Sequence, residues 1–224
     1  MDDRPGSMPG VRASKARLWF GLTALAALAG IVIQLFVTAN LKTGFFKTPT
    51  ARTLNVFVFF TIQSNLIAGG TSLLLAMNPK RSSLAFNTWR LTGVVAITIT
   101  GLVYHTVLAR LFDLESWALV ADNLIHTVVP ALTVLGWLIF GPRGLTSRRV
   151  ARLSVVFPVA WLAFTLIRGA FVHFYPYPFV DVAALGYVPV LINCVWVAAL
   201  YLGLATGADA LDHRLRRGAA TTPA

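Results

Sequence analysis

Cysteine occurs once, as Cys194, in a chain of 224 residues. A disulfide within the chain is therefore excluded, and so are metal sites built from several cysteines. Charge is scarce too: 12% of residues are charged, against about a quarter in an ordinary soluble domain. The 8 acidic residues form no carboxylate cluster, and there is no phosphate-binding loop. Nothing implies a bound metal, nucleotide or other cofactor. Internal repeats and low-complexity segments are missing as well.

What the chain has instead is apolar length. Hydrophobic residues make up 57% of it, gathered into six runs at about 18–38, 53–77, 90–112, 117–141, 150–173 and 185–206. Runs of roughly 20 apolar residues span a bilayer as helices. The first run follows a basic flank, as a signal peptide would, but its apolar stretch is too long for one, so it reads as an uncleaved anchor. The expected fold is an all-α polytopic bundle of six transmembrane helices over 18–206. The expected flanking tails, 1–17 and 207–224, are polar and disordered.

The net charge of +11 reflects topology, not a nucleic-acid surface. The tails and even-numbered loops hold Arg4, Arg12, Lys15, Arg17, Lys80, Arg81, Arg90, Arg143, Arg148, Arg149, Arg152, Arg214, Arg216 and Arg217. The other side holds only Lys42, Lys47, Arg52 and Arg110. Cytoplasmic loops collect lysine and arginine, so both termini are expected in the cytoplasm. Many arginines and alanines with few lysines suggest a bacterial source with a GC-rich genome, and hence its cytoplasmic membrane.

Polar groups inside the spans fall at one depth. At 1.5 Å per helical residue, Thr61, His126 and Asn193 lie roughly 12 Å below the outer surface, and His105 about 10 Å. Arg168 also belongs to the outer half of its span, and Gln34 is near the outer end of the first. A shared depth is what a site between helices requires. On span two, Thr61, Ser64, Asn65, Ala68, Gly69 and Ser72 form one stripe, in which the small residues read as helix packing. Gln63 sits beside it. On span four, Asp122 precedes His126 by one turn, with Asn123, Thr127 and Pro130 close by. Ionisable side chains within a bilayer are costly and by default mark function. Asp122 is positioned to hold the His126 imidazole, although an Asp122–Arg168 ion pair would explain both charges as structural. A threonine becomes a nucleophile only when a base is within hydrogen-bond reach, which makes Thr61–His126 the pair to examine.

Three motifs, "FFTIQSNL", "DNLIHTVVPAL" and "FVHFYPYPF", resemble in order and topology the androgen-induced-gene family of multi-pass membrane proteins. The family's threonine falls on Thr61, its Asn…His-Thr…Pro pattern on Asn123, His126, Thr127 and Pro130, and its Tyr-Pro-Phe segment on Tyr177, Pro178 and Phe179. The fuller "TIQSN" resembles a bacterial branch, and both asparagine-to-histidine and histidine-to-proline spacings are one residue tighter. The resemblance implies an intramembrane hydrolase of fatty acid esters of hydroxy fatty acids, with Thr61 as nucleophile and His126 as base. Asn65 or Gln63 is the expected oxyanion donor, with Asp122 and Asn123 in support. His105, Arg168, Asn193 and Tyr177 are expected to meet the lipid substrate, which enters from the bilayer; Arg168 would face a carboxylate. The two prolines of "YPYPFVDV" break regular helix, leaving a stiff aromatic loop at the interface or a lip over the site. Two other readings compete: a small-molecule or proton-coupled transporter using Asp122 and Arg168, and a haem protein with iron between His105 and His126.

Overall fold

The structure, a computed structural model, describes residues 10–111 and 113–221. It is helical, with no strand among the described residues. Helix α1 is Gly10–Ala39, α2 Pro49–Val56, α3 Phe60–Met77 and α4 Leu84–Val103. A π-helical turn, Tyr104–Leu108, and a 3-10 turn, Ala109–Leu111, extend α4. Helix α5, Ser116–Asn123, passes through a second π-helical turn, Leu124–Val128, into α6, Val129–Phe140. Then come α7 Arg148–Ser154, α8 Val156–Val172, a 3-10 turn Pro178–Val180, α9 Val182–Leu185 and α10 Tyr187–Thr221. Six of these stretches are long and apolar enough to cross a membrane: Val11–Ala39, Phe60–Met77, Leu84–Leu111, Ser116–Phe140, Arg148–Val172 and Tyr187–Arg217. The chain is an integral membrane protein in the form expected from its apolar runs.

Three expectations need correction. The tails are not wholly irregular, since α1 already begins at Gly10 and α10 runs on to Thr221; 1–9 and 222–224 lie outside the described residues. Span two is not one helix from residue 53. It breaks after Val56 and restarts at Phe60, so Thr61 stands in the first turn of α3 rather than eight residues into a span. Arg90 is also no loop residue. Its side chain is 2% exposed, bonds Ser72 Oγ at 3.3 Å and lies over the Phe20 ring.

Local chemistry sets the helix ends. Ser83 and Ser147 side chains accept the Phe86 and Val150 amides, the usual N-cap bond. His173 closes α8 in the left-handed conformation, its amide returning to the Gly169 carbonyl at 2.8 Å. Between helices, missing side chains permit close approach. A Cβ on Gly30 would sit 2.7 Å from Ile125, beside the turn that carries His126. Trp19, near the start of α1, bonds the Leu132 carbonyl of α6, and Asp212 of α10 accepts from Gly144 and Thr146 in the α6–α7 loop. The first turns of α1 and the later part of α10 thus lie at the end of the bundle that carries the α6–α7 loop. Thr61, His126 and the 173–186 loop occupy the other.

Candidate active site

The start of α3 is unusual. Its N-cap position is Phe59, which has no side-chain oxygen to satisfy the first amides, and unpaired amides at a helix start demand a partner. The partner comes from the loop between α8 and α9. Tyr177, 8% exposed, reaches in so that its hydroxyl accepts the Thr61 amide at 3.1 Å and lies 3.2 Å from Thr61 Oγ1. The ring is held by Phe179 stacked on it and by Phe59 edge-on. Burial raises the Tyr177 hydroxyl above the usual tyrosine range, opposed by its bonds to Thr61, so it stays a protonated donor at neutral pH. The "YPYPF" segment is therefore a lip over Thr61. Tyr175 helps seat it, its ring occupying the space that a side chain at position 169 would need.

Opposite Tyr177, His126 Nε2 stands 3.4 Å from Thr61 Oγ1. That is longer than a closed hydrogen bond, as catalytic contacts often are before substrate binds. Nδ1 of the same ring is 2.8 Å from Asp122 Oδ1. A carboxylate on Nδ1 favours the tautomer with the proton there, leaving the Nε2 lone pair aimed at the threonine. The second oxygen, Asp122 Oδ2, accepts the Tyr104 hydroxyl at 2.5 Å, and the Tyr104 ring stacks on His126 with centroids 3.9 Å apart. Tyr104 and His126 both belong to π-helical turns, local distortions that frequently accompany functional sites. The resulting line is Thr61, His126, Asp122, Tyr104. The Asp122–Arg168 ion pair allowed by the sequence is not made.

Other candidates divide. Asn65 is buried behind Thr61, but its amide donates to the Thr61 and Ile125 carbonyls at 2.8 and 3.0 Å. Both its donor protons are spent tying α3 to the His126 turn, so it is no oxyanion donor. Gln63 turns away to the Phe57 carbonyl, and Asn123 is exposed and bonds Leu119 one turn back. Neither reaches Thr61. His105 is also exposed and pairs with Thr127 at 3.0 Å. The two imidazoles are thus turned to different partners, His105 to Thr127 and His126 to Thr61 and Asp122. Arg168 bonds Asn55 Oδ1 at 2.9 Å and lies over the adjoining Phe46 and Phe174 rings. Asn193 holds the Phe179 carbonyl at 2.9 Å and so braces the lip. Among the described residues, no three His, Cys, Asp or Glu side chains gather as metal ligands.

Sequence reasoning missed Tyr104. On span three it singles out only His105, whereas Tyr104, one position earlier, faces the site. Steps of three and four from Gly101 share a helix face, so Tyr104 was equally available. An aromatic hydroxyl one turn from a span-three glycine is the signal that was passed over.

Thr61 also lines an open cleft. Its walls come from α4, α8 and α10 and are almost entirely apolar. No protein-family model matches the chain, no curated protein is similar to it, and no solved structure matches it.

Proposed function

We propose that this protein is an intramembrane lipid-ester hydrolase with a threonine nucleophile, of the androgen-induced-gene type that its motifs resemble. The observation that carries this reading is the chain of contacts from Thr61 Oγ1 to His126 Nε2 and from His126 Nδ1 to Asp122 Oδ1, with Thr61 lining an apolar cleft. A nucleophile, a base and a group that orients the base are the components of acyl transfer.

Each side chain then has one task. As Thr61 Oγ1 bonds to the ester carbonyl carbon, His126 Nε2 takes the hydroxyl proton. The carbonyl oxygen becomes an oxyanion facing the Tyr177 hydroxyl, whose own proton is not used in accepting the Thr61 amide. One such donor typically contributes about 3 kcal/mol. Collapse expels the alcohol, protonated by His126, and leaves an acyl-Thr61 ester. His126 next draws a proton from water, which attacks that ester; the Oγ1–acyl bond breaks, His126 returns the proton to Thr61 Oγ1, and the fatty acid is freed. Asp122 keeps the imidazole in the required tautomer throughout.

The covalent intermediate separates this from the transporter reading, which forms none. A fluorophosphonate probe should modify Thr61, seen by mass spectrometry of the digested protein, and His126→Ala should lose the adduct. Modification elsewhere, or none with a folded protein, would sink the mechanism.

The same reading places the site near the outer leaflet, with both termini in the cytoplasm of a bacterial cell. In a Cys194→Ser background, a membrane-impermeant maleimide should label Lys47→Cys in intact cells, and Arg214→Cys only after lysis. The opposite pattern would invert the orientation.

A further inference from the structure

We propose that the cleft between α4, α8 and α10 holds the acyl chain of the ester, and that Tyr201 closes its far end, so the enzyme prefers medium-length chains. This rests on Thr61 being the nucleophile.

Continuity identifies the occupant. Thr61 lies in the cleft wall at the level of Trp161 and Tyr177, and from there the lining is hydrocarbon: Leu162, Val159, Val197 and Ala198. An acyl group bonded to Thr61 has this space as its apolar continuation. Helix α8 keeps its backbone away from its neighbours here and touches α3 through side chains, with Phe60 against Phe157 and Trp161 at 5.3 and 5.2 Å. The gap therefore admits a chain from the lipid.

The far end is closed by construction. Tyr201 is 2% exposed, and its hydroxyl donates to the Ser154 carbonyl at 2.9 Å, which pins the ring across the cleft. Beneath it lies a packed cluster of Leu91, Val95, Ile99, Val150 and Ala151. Cys194, near the lip, and Tyr201 are two turns apart on α10, about 10 Å. An extended chain advances ~1.25 Å per carbon, given bonds of about 1.5 Å and near-tetrahedral angles. The straight run thus houses about eight carbons. A longer chain must bend out between α8 and α10.

The test is a series of methylumbelliferyl esters from acetyl to palmitoyl, hydrolysed by the full chain in lipid nanodiscs. Wild-type kcat/KM should climb with each added carbon to about eight to ten and then stop climbing. Ala198→Phe should cut the octanoyl-to-acetyl ratio by about tenfold or more, the scale of pocket discrimination by size. Tyr201→Leu should move the optimum to longer chains. Should either variant fail to fold, Cys194 offers a handle in the wild type. A butyl methanethiosulfonate adduct there should lower octanoyl turnover more than acetyl turnover, reversibly with thiol. Ratios unchanged by all of these, while Thr61→Ala abolishes hydrolysis, would overturn the cleft assignment and leave the hydrolase standing. If wild type cleaves no ester, the hydrolase reading fails instead. The cleft is then judged by a photoreactive octanoate: crosslinks to α8 and α10 uphold it, and crosslinks elsewhere reject it.

Discussion

Thr61→Ala should reduce ester turnover by about 10³-fold or more, and His126→Ala by a similar factor, since a positioned base alone contributes roughly 10²–10⁴-fold. The double variant should be no worse than either single one. Residues that act as one unit are strongly non-additive, and here the base has no function without the hydroxyl 3.4 Å away. Thr61→Ser is the informative control. It keeps the oxygen and removes a methyl group, so it should retain far more turnover than the alanine variant. Melting temperature must be followed in parallel. Thr61 is buried, and its backbone amide, not its side chain, carries one of the two bonds to Tyr177. Alanine preserves that amide contact, so the fold should survive. Equal activity in wild type and Thr61→Ala would end the threonine mechanism.

Sequence and structure agree where physical chemistry is insistent. Bilayer crossing demands about 20 apolar residues per helix, so the six spans were legible within a few residues at most ends. Charge inside such a span is conspicuous, and Asp122 and His126 at one-turn spacing were readable as a contact before any coordinates. Thr61 was picked from its depth and stripe, although the depth argument assumed a helix continuous from residue 53. The break at residues 57–59 carries no glycine or proline to announce it. It arises from tertiary contacts: Trp161 Nε1 takes the Val58 carbonyl at 2.9 Å, and Tyr177 takes the Thr61 amide. Those partners lie more than a hundred residues away, beyond any local pattern. The oxyanion guess went astray for the same reason. The place of Asn65 one turn below Thr61 suggests a donor, while the deciding fact is that the Ile125 carbonyl already claims its second proton.

The second large effect belongs to Asp122. Asp122→Asn should lower kcat by about 10³–10⁴-fold, the scale seen when the orienting carboxylate of a catalytic triad is made an amide. The cause is a reversed proton. An amide NH₂ facing His126 Nδ1 favours the tautomer with hydrogen on Nε2, which then points a donor at Thr61 where an acceptor is needed. Tyr104 is the lever that distinguishes this from simple loss of structure. Tyr104→Phe removes the 2.5 Å bond to Asp122 Oδ2 and keeps the ring stacked on His126. The carboxylate loses one partner and holds the imidazole less firmly, so kcat should fall only about tenfold, with KM unchanged. Tyr104→Leu removes the ring as well. That ring face stabilises the imidazolium formed during reaction, by about 0.5–2 kcal/mol for a cation on an aromatic face, so kcat should fall further than in Tyr104→Phe. In Asp122→Asn the Tyr104→Phe change should add almost nothing, because its effect passes through the carboxylate. Independent, additive losses would show that Tyr104 works elsewhere. A lowered melting temperature with kcat intact in Asp122→Asn would make the carboxylate a packing group and leave His126 to orient itself.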